Sequence, residues 1–440
     1  MFFNNTSNYT IFTKPKHKPP KPIPSPSPTN ISHIVFGIAG STKTYQNRAS
    51  YIQSWWKPNK TRGFIFFETL PNNHLPWSNS SPPFHISENT SKYDDYNKHP
   101  IPQAIRMARI VYEMFNLIKD NVRWYVLADD DTIFFMNNLV DVLGRYDHEK
   151  YFYIGMISEC HASNFYHSFE MGFGGAGFAL SYPLAKALVK KLDLCLKRYP
   201  SLYGSDHIVQ SCVADLGVSL TQEKGFHQID LHNDISGLLS SHPHSPFLSL
   251  HHLDVVDPIF PSMNRTQSLS HLMKSAKADE SRLLQQTICY HKPKNWTFSI
   301  SWGYSVQIYE AIFPPSLLQK PLQTFTPWSK STKPFFVFNT RIPSNNPCEN
   351  PHVFFFDSVG NKRGDYIVTR YERKRYRGLP ACSLSGNHSA DFVSGIVVLS
   401  PERKYDLIGN RRECCDVLHD MRRNATEIKL RDCFENEILP

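Results

Sequence analysis

The sequence predicts an α/β fold: a doubly wound sheet first, then a β-rich region. Three observations carry this. Short apolar runs alternate with helical patterns through the first part of the chain, as strands and helices do in α/β sheets. From about residue 276 the helical periodicity fades and short strand-like runs take over. The composition is that of an ordinary globular protein, 40% hydrophobic and 20% charged over 440 residues, which is long enough for two domains.

The elements follow in order. Residues 1–30 read as a tail. The run Lys14-Pro15-Lys16-His17-Lys18-Pro19-Pro20-Lys21-Pro22, with Pro24, Pro26 and Pro28 behind it, suits a stiff stalk as well as a disordered tail. Residues 33–40 are a short apolar run ending in glycine, a buried parallel strand. Residues 46–56 read as a helix that ends at Trp55-Trp56, ahead of Pro58. Residues 63–68 form a second buried strand, and 72–100, rich in Pro and Asn, a long loop. Ile101, Ile105, Ala108, Tyr112, Phe115 and Ile118 recur at three- and four-residue spacing, the stripe of an amphipathic helix. Residues 122–128 are a third strand that runs straight into Asp129-Asp130-Asp131. Further on, 297–301, 335–338 and 353–356 read as strands of the second region. The expected division is therefore a tail over 1–30, an α/β domain over 31–275 and a β-rich domain over 276–440.

Charge and cysteine content narrow the function classes. The net charge is +9 and is spread along the chain. The densest basic stretch, Arg370 to Arg377, reads as a solvated turn or strand edge, so no nucleic acid partner is expected. None of the nine cysteines forms paired CxxC motifs, which argues against a zinc site. Cys414 and Cys415 are adjacent and cannot easily bridge each other, and an odd total leaves at least one thiol free. Asn-x-Ser/Thr sequons begin at Asn4, Asn5, Asn8, Asn30, Asn59, Asn79, Asn89, Asn264, Asn295, Asn387 and Asn424. That density points to the secretory pathway, where disulfides also form. No apolar run approaches the roughly 18 residues of a membrane span. The start, Met1-Phe2-Phe3-Asn4-Asn5, lacks the regions of a signal peptide. An incomplete amino terminus, with any membrane anchor lying outside this chain, reconciles the two.

The acidic triplet carries the chemistry. Three neighbouring carboxylates repel one another unless a cation compensates them. At a strand end in a doubly wound sheet they lie where such sheets bind ligands. Oxygen ligands suit Mn²⁺ or Mg²⁺, which bridge to phosphate oxygens. The bland reading is a solvated turn in which Asp131 caps a helix starting near Phe135.

The stretch Trp124-Tyr125-Val126-Leu127-Ala128-Asp129-Asp130-Asp131-Thr132 resembles the DxD segment of fringe and the β-1,3-galactosyltransferases. Three more segments resemble that family in the same order. They are Gly174-Gly175-Ala176-Gly177-Phe178-Ala179-Leu180-Ser181, then Gly204-Ser205-Asp206-His207-Ile208-Val209-Gln210-Ser211-Cys212 with Leu216-Gly217-Val218, then Gly225-Phe226-His227. The likeness is strongest to plant fringe-like proteins whose shared domain has no assigned function, and it continues through Ser249-Leu250-His251-His252-Leu253-Asp254.

The resemblance implies a GT-A-type, Rossmann-like fold. It also implies an inverting transfer of a hexose from a UDP-sugar to a glycan or glycoprotein acceptor in the Golgi lumen. By that resemblance Asp129, Asp131 and His227 hold the metal, with Asp131 in direct coordination. Asp130, with Asp129, Gly174 and Gly175, meets the donor, and Asp206 is the general base. Each has a plainer reading. His227 also suits a hydrogen-bonded core position, Asp206 a helix N-cap, and the glycines a tight turn before a helix with Pro183 at its start. Ser205 and His207 depart from the acidic neighbours the family often places beside its base. Cys195 and Cys212 flank that segment and can bridge. His242, His244, His251 and His252 match no common zinc spacing and are expected at the surface or in an acceptor cleft. The competing function is a catalytically silent glycan-binding or scaffold protein on the same fold.

Overall fold

The computed structural model describes residues 27–96, 101, 103–199, 201–383, 385–386, 389–406, 411–420 and 425–438. Most of the tail expected over 1–30, and the sequons at Asn4, Asn5, Asn8, Asn387 and Asn424, lie outside these residues.

A seven-stranded sheet forms from β1 (Ile34–Ala39), β2 (Arg62–Phe67), β3 (Phe84–Ile86), β4 (Trp124–Asp129) and, beyond the two-residue β5 (Ile133–Phe134), from β6 (Tyr153–Gly155), β7 (Phe178–Ser181) and β8 (Leu220–Gln222). Its order is β3-β2-β1-β4-β7-β6-β8. The first four strands run parallel, whereas β7 enters antiparallel between β4 and β6, so the sheet is mixed. The short β3 lies inside the segment expected to be loop throughout.

The apolar runs are continuous because both faces of the sheet are covered. In β4, Trp124, Val126 and Ala128 enter one apolar cluster, while Tyr125 and Leu127 enter the other. That is the two-residue alternation of a strand, and each large side chain so buried contributes about 2 kcal/mol. Helices Ala104–Leu117, Tyr182–Val189, Leu192–Arg198 and Ser205–Ala214 cover one face. The first of these packs closely on β1 because Gly37 carries no Cβ; one there would lie 2.8 Å from both Ile110 and Met114. Helices Tyr45–Trp55, Met136–Leu143 and Arg265–Ala278 lie on the other face. Among the described residues no helix is long and apolar enough to cross a membrane.

Two short strands follow, β9 (Leu231–Asn233) and β10 (Ser249–Leu250). The β-rich expectation is then met by an eight-stranded sheet. Its strands are β11 (Gln286–His291), β12 (Trp296–Ser301), β13 (Ser305–Tyr309) and, after β14 (Phe325–Pro327), β15 (His352–Val359), β16 (Tyr366–Arg373), β17 (Gly395–Pro401), β18 (Cys414–Asp420) and β19 (Ala425–Arg431). The order is β11-β12-β13-β15-β16-β17-β19-β18, while β14 pairs with β9 instead. Trp296, Phe298, Ile300 and Phe354 enter the same cluster as Phe36 and Trp124, so the two sheets share one core.

Two strand readings need correction. Residues 335–338 make only a single bridge, between Phe336 and Cys160, because this stretch runs across the first sheet's loops rather than along the second sheet. The basic stretch from Arg370 begins within β16, an inner strand between β15 and β17 and not an edge. Arg370 and Glu372 face outward there, while Tyr371 is buried.

The four disulfides are Cys195–Cys212, Cys289–Cys415, Cys348–Cys382 and Cys414–Cys433, and Cys160 is free and buried. Successive residues of a strand point to opposite faces, so Cys414 and Cys415 in β18 reach different partners. The bridge from Cys289 to Cys415 joins β11 to β18, the two edges of the sheet, which protects edges that would otherwise invite pairing.

Candidate active site

The triplet begins on the last residue of β4, and a tight turn carries it into β5. Thr132 fastens that turn: its hydroxyl accepts from the Asp129 N–H at 3.0 Å and donates to the Gly175 carbonyl at 2.8 Å. Asp131 does not cap the following helix, whose N-cap position is Phe135, without a side-chain cap.

The three carboxylates are held differently. Asp130 is 2% exposed and accepts from Arg48 Nη1 at 2.8 Å, with Ser41 N–H at 3.3 Å and Thr44 Oγ1 at 3.4 Å behind it. Asp131 is fully buried, yet neither oxygen has a hydrogen bond. Its neighbours are ionic: His251 Nε2 at 3.1 Å and Arg48 Nη2 at 3.2 Å. Burial pushes its carboxyl up, but His251 and then Arg48 outweigh it and hold the group below the ordinary carboxylate range. Asp129 keeps 28% of its side chain exposed but faces Asp206, Asp131 and Asp130. Burial first, against the opposing pull of His251, and then those like charges bring it up to about 7.

Asp129, Asp131 and His251 present ligand atoms that all lie within 4.8 Å of one another. Two carboxylates and an imidazole are a donor set for a divalent cation, and the orphaned oxygens of Asp131 are buried acceptors with capacity to spare. His251 is raised to about 9; burial opposes protonation, but Asp131 and Asp129 override it. Its Nδ1 lies 3.1 Å from the Gln228 carbonyl, which fixes the ring with Nε2 toward the aspartates.

His227 does not join them. Its Nδ1 meets Glu159 Oε1 at 2.9 Å and its Nε2 meets His242 Nε2 at 2.9 Å. Both nitrogens are spent within a buried chain, and the histidine beside the aspartates is His251 instead. The reason is strand pairing. Antiparallel β5 and β10 set Ile133 opposite Leu250, which delivers the next residue, His251, to Asp131. The sequence displayed His251 in the stretch 249–254, but nothing local distinguishes it from the histidines around it.

Asp206 lies in the first turn of helix Ser205–Ala214, with Gly204 at the N-cap at φ 80°. It caps nothing. Its Oδ2 accepts from the Gly174 N–H at 2.8 Å and its Oδ1 from Ser205 Oγ at 3.0 Å. Burial raises its carboxyl above the usual range. The two glycines now have a specific reason. A Cβ on Gly174 would stand 2.5 Å from Asp206 Oδ1, and one on Gly175 would stand 2.1 Å from His251 Cε1. The loop is the spacer between Asp206 and His251, and only glycine fits there.

Two features were not anticipated. Arg48, on helix Tyr45–Trp55, contacts Asp130, Asp131 and, at 2.8 Å, Asp254, and its charge balances the acidic cluster. Trp328, from beyond the second sheet's first hairpins, stacks between His232 and His252, at 4.7 and 5.0 Å, and the His252 ring lies 3.8 Å from that of His251, tilted by 32°. Trp328, Tyr166, Tyr203, Phe173 and Asp206 line a recess of about 360 Å³. Asp206 also borders a small cavity with Asp129 and Gly174, so it stands between the two spaces.

No curated protein sequence matches the chain. Among solved structures, core-mannan synthase A from Aspergillus fumigatus, in an Mn/GDP form, is similar at 9% identity over 43% of this chain and 72% of that one, with a TM-score of 0.27. Mouse xyloside xylosyltransferase 1, in an apo form, is similar at 8% identity over 46% of this chain and 85% of that one, with a TM-score of 0.28. Scores this low carry no argument. The family match covers residues 163–415, more than half of the chain, and takes in Asp206, His227 and His251 but not the aspartate triplet. The chain belongs to the family described as "Protein of unknown function, DUF604".

Proposed function

We propose that this chain is a metal-dependent, inverting glycosyltransferase of the GT-A type, moving a hexose from a UDP-sugar to a glycan or glycoprotein hydroxyl. The observation that carries this is the convergence of Asp129, Asp131 and His251 with Asp206 across the Gly174-Gly175 spacer. Those first three residues would hold Mn²⁺ or Mg²⁺, which when bound neutralises the leaving diphosphate as a Lewis acid. Gly174 and Gly175 let Asp206 and His251 close on the loop that separates them. Asp130 holds Arg48 in place beside the cluster.

In this reading the acceptor lies in the aromatic recess and presents its hydroxyl to Asp206. The carboxylate takes the hydroxyl proton as the acceptor oxygen forms its bond to the anomeric carbon, while the bond from that carbon to the diphosphate oxygen breaks. One displacement from one face inverts the centre. The raised proton affinity of the buried Asp206 suits a base.

Four disulfides and exposed sequon asparagines at Asn30, Asn59, Asn79, Asn89, Asn264 and Asn295 support a secretory compartment, the Golgi lumen in this proposal. At Asn264 the side-chain oxygen caps the helix through the Gln267 N–H, which leaves the amide nitrogen for a glycan.

Thermal shift with Mn²⁺ and a panel of UDP-sugars tests the assignment. The ion and the right donor stabilise the protein together, and Asp131→Asn abolishes the joint effect. A mutant that binds both normally overturns it. The exposed aromatic side chains of Tyr166, Tyr203 and Trp328 also favour a second reading, glycan binding without turnover. Donor hydrolysis and transfer assays that stay silent with every sugar tried decide for that one.

A further inference from the structure

His227, whose ring nitrogens meet Glu159 and His242, lines a half-open cavity of about 850 Å³. That size is within the range of small-molecule sites. Part of the wall is apolar, with Phe226, Leu238 and Phe338 among its residues. The charged lining is unbalanced: Lys224, Lys320, Arg411 and Arg412 stand against Glu159 and Glu413.

Both of those carboxylates are already committed. Glu159 accepts from the Ile229 N–H at 2.8 Å and meets His227 Nδ1 at 2.9 Å. Glu413 accepts from Arg282 Nε at 3.0 Å and Nη2 at 2.8 Å. The cations make no salt bridge among the described residues, although Arg411 acts on the Glu437 carboxylate from a distance. Arg411 and Arg412 donate to the main-chain carbonyls of Glu437 and Gln286, at 2.6 and 2.8 Å. Lys224 and Lys320 make no ion pair among the described residues. Burial pulls Arg412 down from its usual range, as expected for a guanidinium half out of water without an acid beside it.

One polar group points to a ligand independently. His242 lines the cavity and is only 2% exposed. Its Nε2 meets His227, but its Nδ1 has no hydrogen-bond partner. A buried polar atom without a partner is rare, and it destabilises the fold unless something completes it. An anion on a ring would satisfy the whole arrangement. Its oxygens would pair with the surplus cations, a ring hydroxyl would donate to the unprotonated Nδ1 of His242, and its body would cover the apolar wall.

We propose that this cavity is a second ligand site, separate from the carboxylate cluster, for a small ring-bearing organic acid: an oxyanion, carboxylate or phosphate, carried on a sugar-sized ring. The site stands without the transferase reading, since none of its residues belongs to the cation group or to Asp206.

Isothermal titration of the full chain in EDTA tests it, with D-glucuronate, glucose 6-phosphate and neutral D-glucose as probes. One of the two acids binds and glucose does not; which acid binds names the head group. Lys224→Ala with Lys320→Ala, both exposed positions, weakens binding at least about tenfold. His242→Gln weakens it without changing a surface charge. Asp131→Asn leaves it as it was. No binding of either acid up to about 10 mM overturns the proposal, on the affinity expected of any specific site. So does equal binding of glucose, or an affinity indifferent to both the lysine and the histidine variants. Loss of binding in Asp131→Asn overturns it too, by placing the anion at the aspartates.

Discussion

Two buried carboxylates, one in each half of the molecule, have opposite surroundings. Glu310, just after β13 in the second sheet, is 2% exposed. It accepts from the Cys382 N–H at 2.7 Å, the Ala390 N–H and Arg377 Nη2 at 2.9 Å, and Ser389 Oγ at 3.2 Å, with His352 Nε2 at 2.7 Å. Asp131 is equally buried and has no hydrogen bond at all, only two cationic neighbours. Glu310 is a fastener. It ties the loop carrying Cys382 to the sheet, and its lone pairs are spent. Asp131 keeps its charge and also keeps its coordination capacity, which is what a cation site requires.

Glu113, on helix Ala104–Leu117, shows which half of that description matters. It too is buried, and its Oε2 is an orphan. Burial pushes it up to about 7, beyond what the Glu88 N–H and the nearby Arg109 and Arg106 restore. An orphaned oxygen that takes up a proton is only a cost to folding. An orphaned oxygen held ionised by its neighbours keeps its charge and its lone pairs.

The sharpest effect on the cluster itself separates the two histidines. His251→Ala should weaken Mn²⁺ binding by about 100-fold, whereas His227→Ala, which breaks a chain ending at Glu159 and His242, should leave it within about threefold. Titration calorimetry on both variants checks this, and the reverse order would restore His227 to the cation site.

Glu310→Ala should cost about 3–5 kcal/mol in urea unfolding, because Arg377 loses its buried counter-charge and His352 its hydrogen-bond acceptor. The same carboxylate sets an acid limit. Burial opposes its ionisation, but His352 and the Cys382 and Ala390 N–H groups bring Glu310 down to about 2, from 4.5 when unfolded. A lowered folded value means stability that is complete above pH 4.5 and is lost as pH falls toward 2. The loss is on the order of 2 kcal/mol, and Glu310→Gln should flatten that part of the urea midpoint profile. A profile unchanged by the substitution would assign the acid limit elsewhere.

The smallest effect has the opposite sign. Glu113 is raised from 4.5 to about 7, so its folded form holds a proton that the unfolded chain gives up, and stability falls as pH rises through that window. Glu113→Gln should gain roughly 1 kcal/mol at pH 8 and nothing at pH 4, read as a rise in Tm at the higher pH alone.

Much of the frame was legible because it is local. The apolar runs at 33–40, 63–68 and 122–128 announce strands covered on both faces, and the stripe from Ile101 to Ile118 announces the helix over them. The triplet at the end of a strand, the glycine pair and Asp206 were each legible as well, and the fold brings them together. The stretch 335–338 was misread as a strand because a short apolar run records burial, not the partner that buries it.

What the chain order alone determined, then, is which residues lie on strands and helices and where charge gathers at a strand end. These depend on neighbours a few positions away. Only the tertiary structure decided that His251 rather than His227 faces Asp131, that Arg48 balances the aspartates, and that Cys414 and Cys415 part company. Those choices follow from the pairing of β5 with β10 and the closure of the second sheet. Strand pairing joins segments far apart in the chain, and a residue carries no local mark of the strand that will lie opposite it.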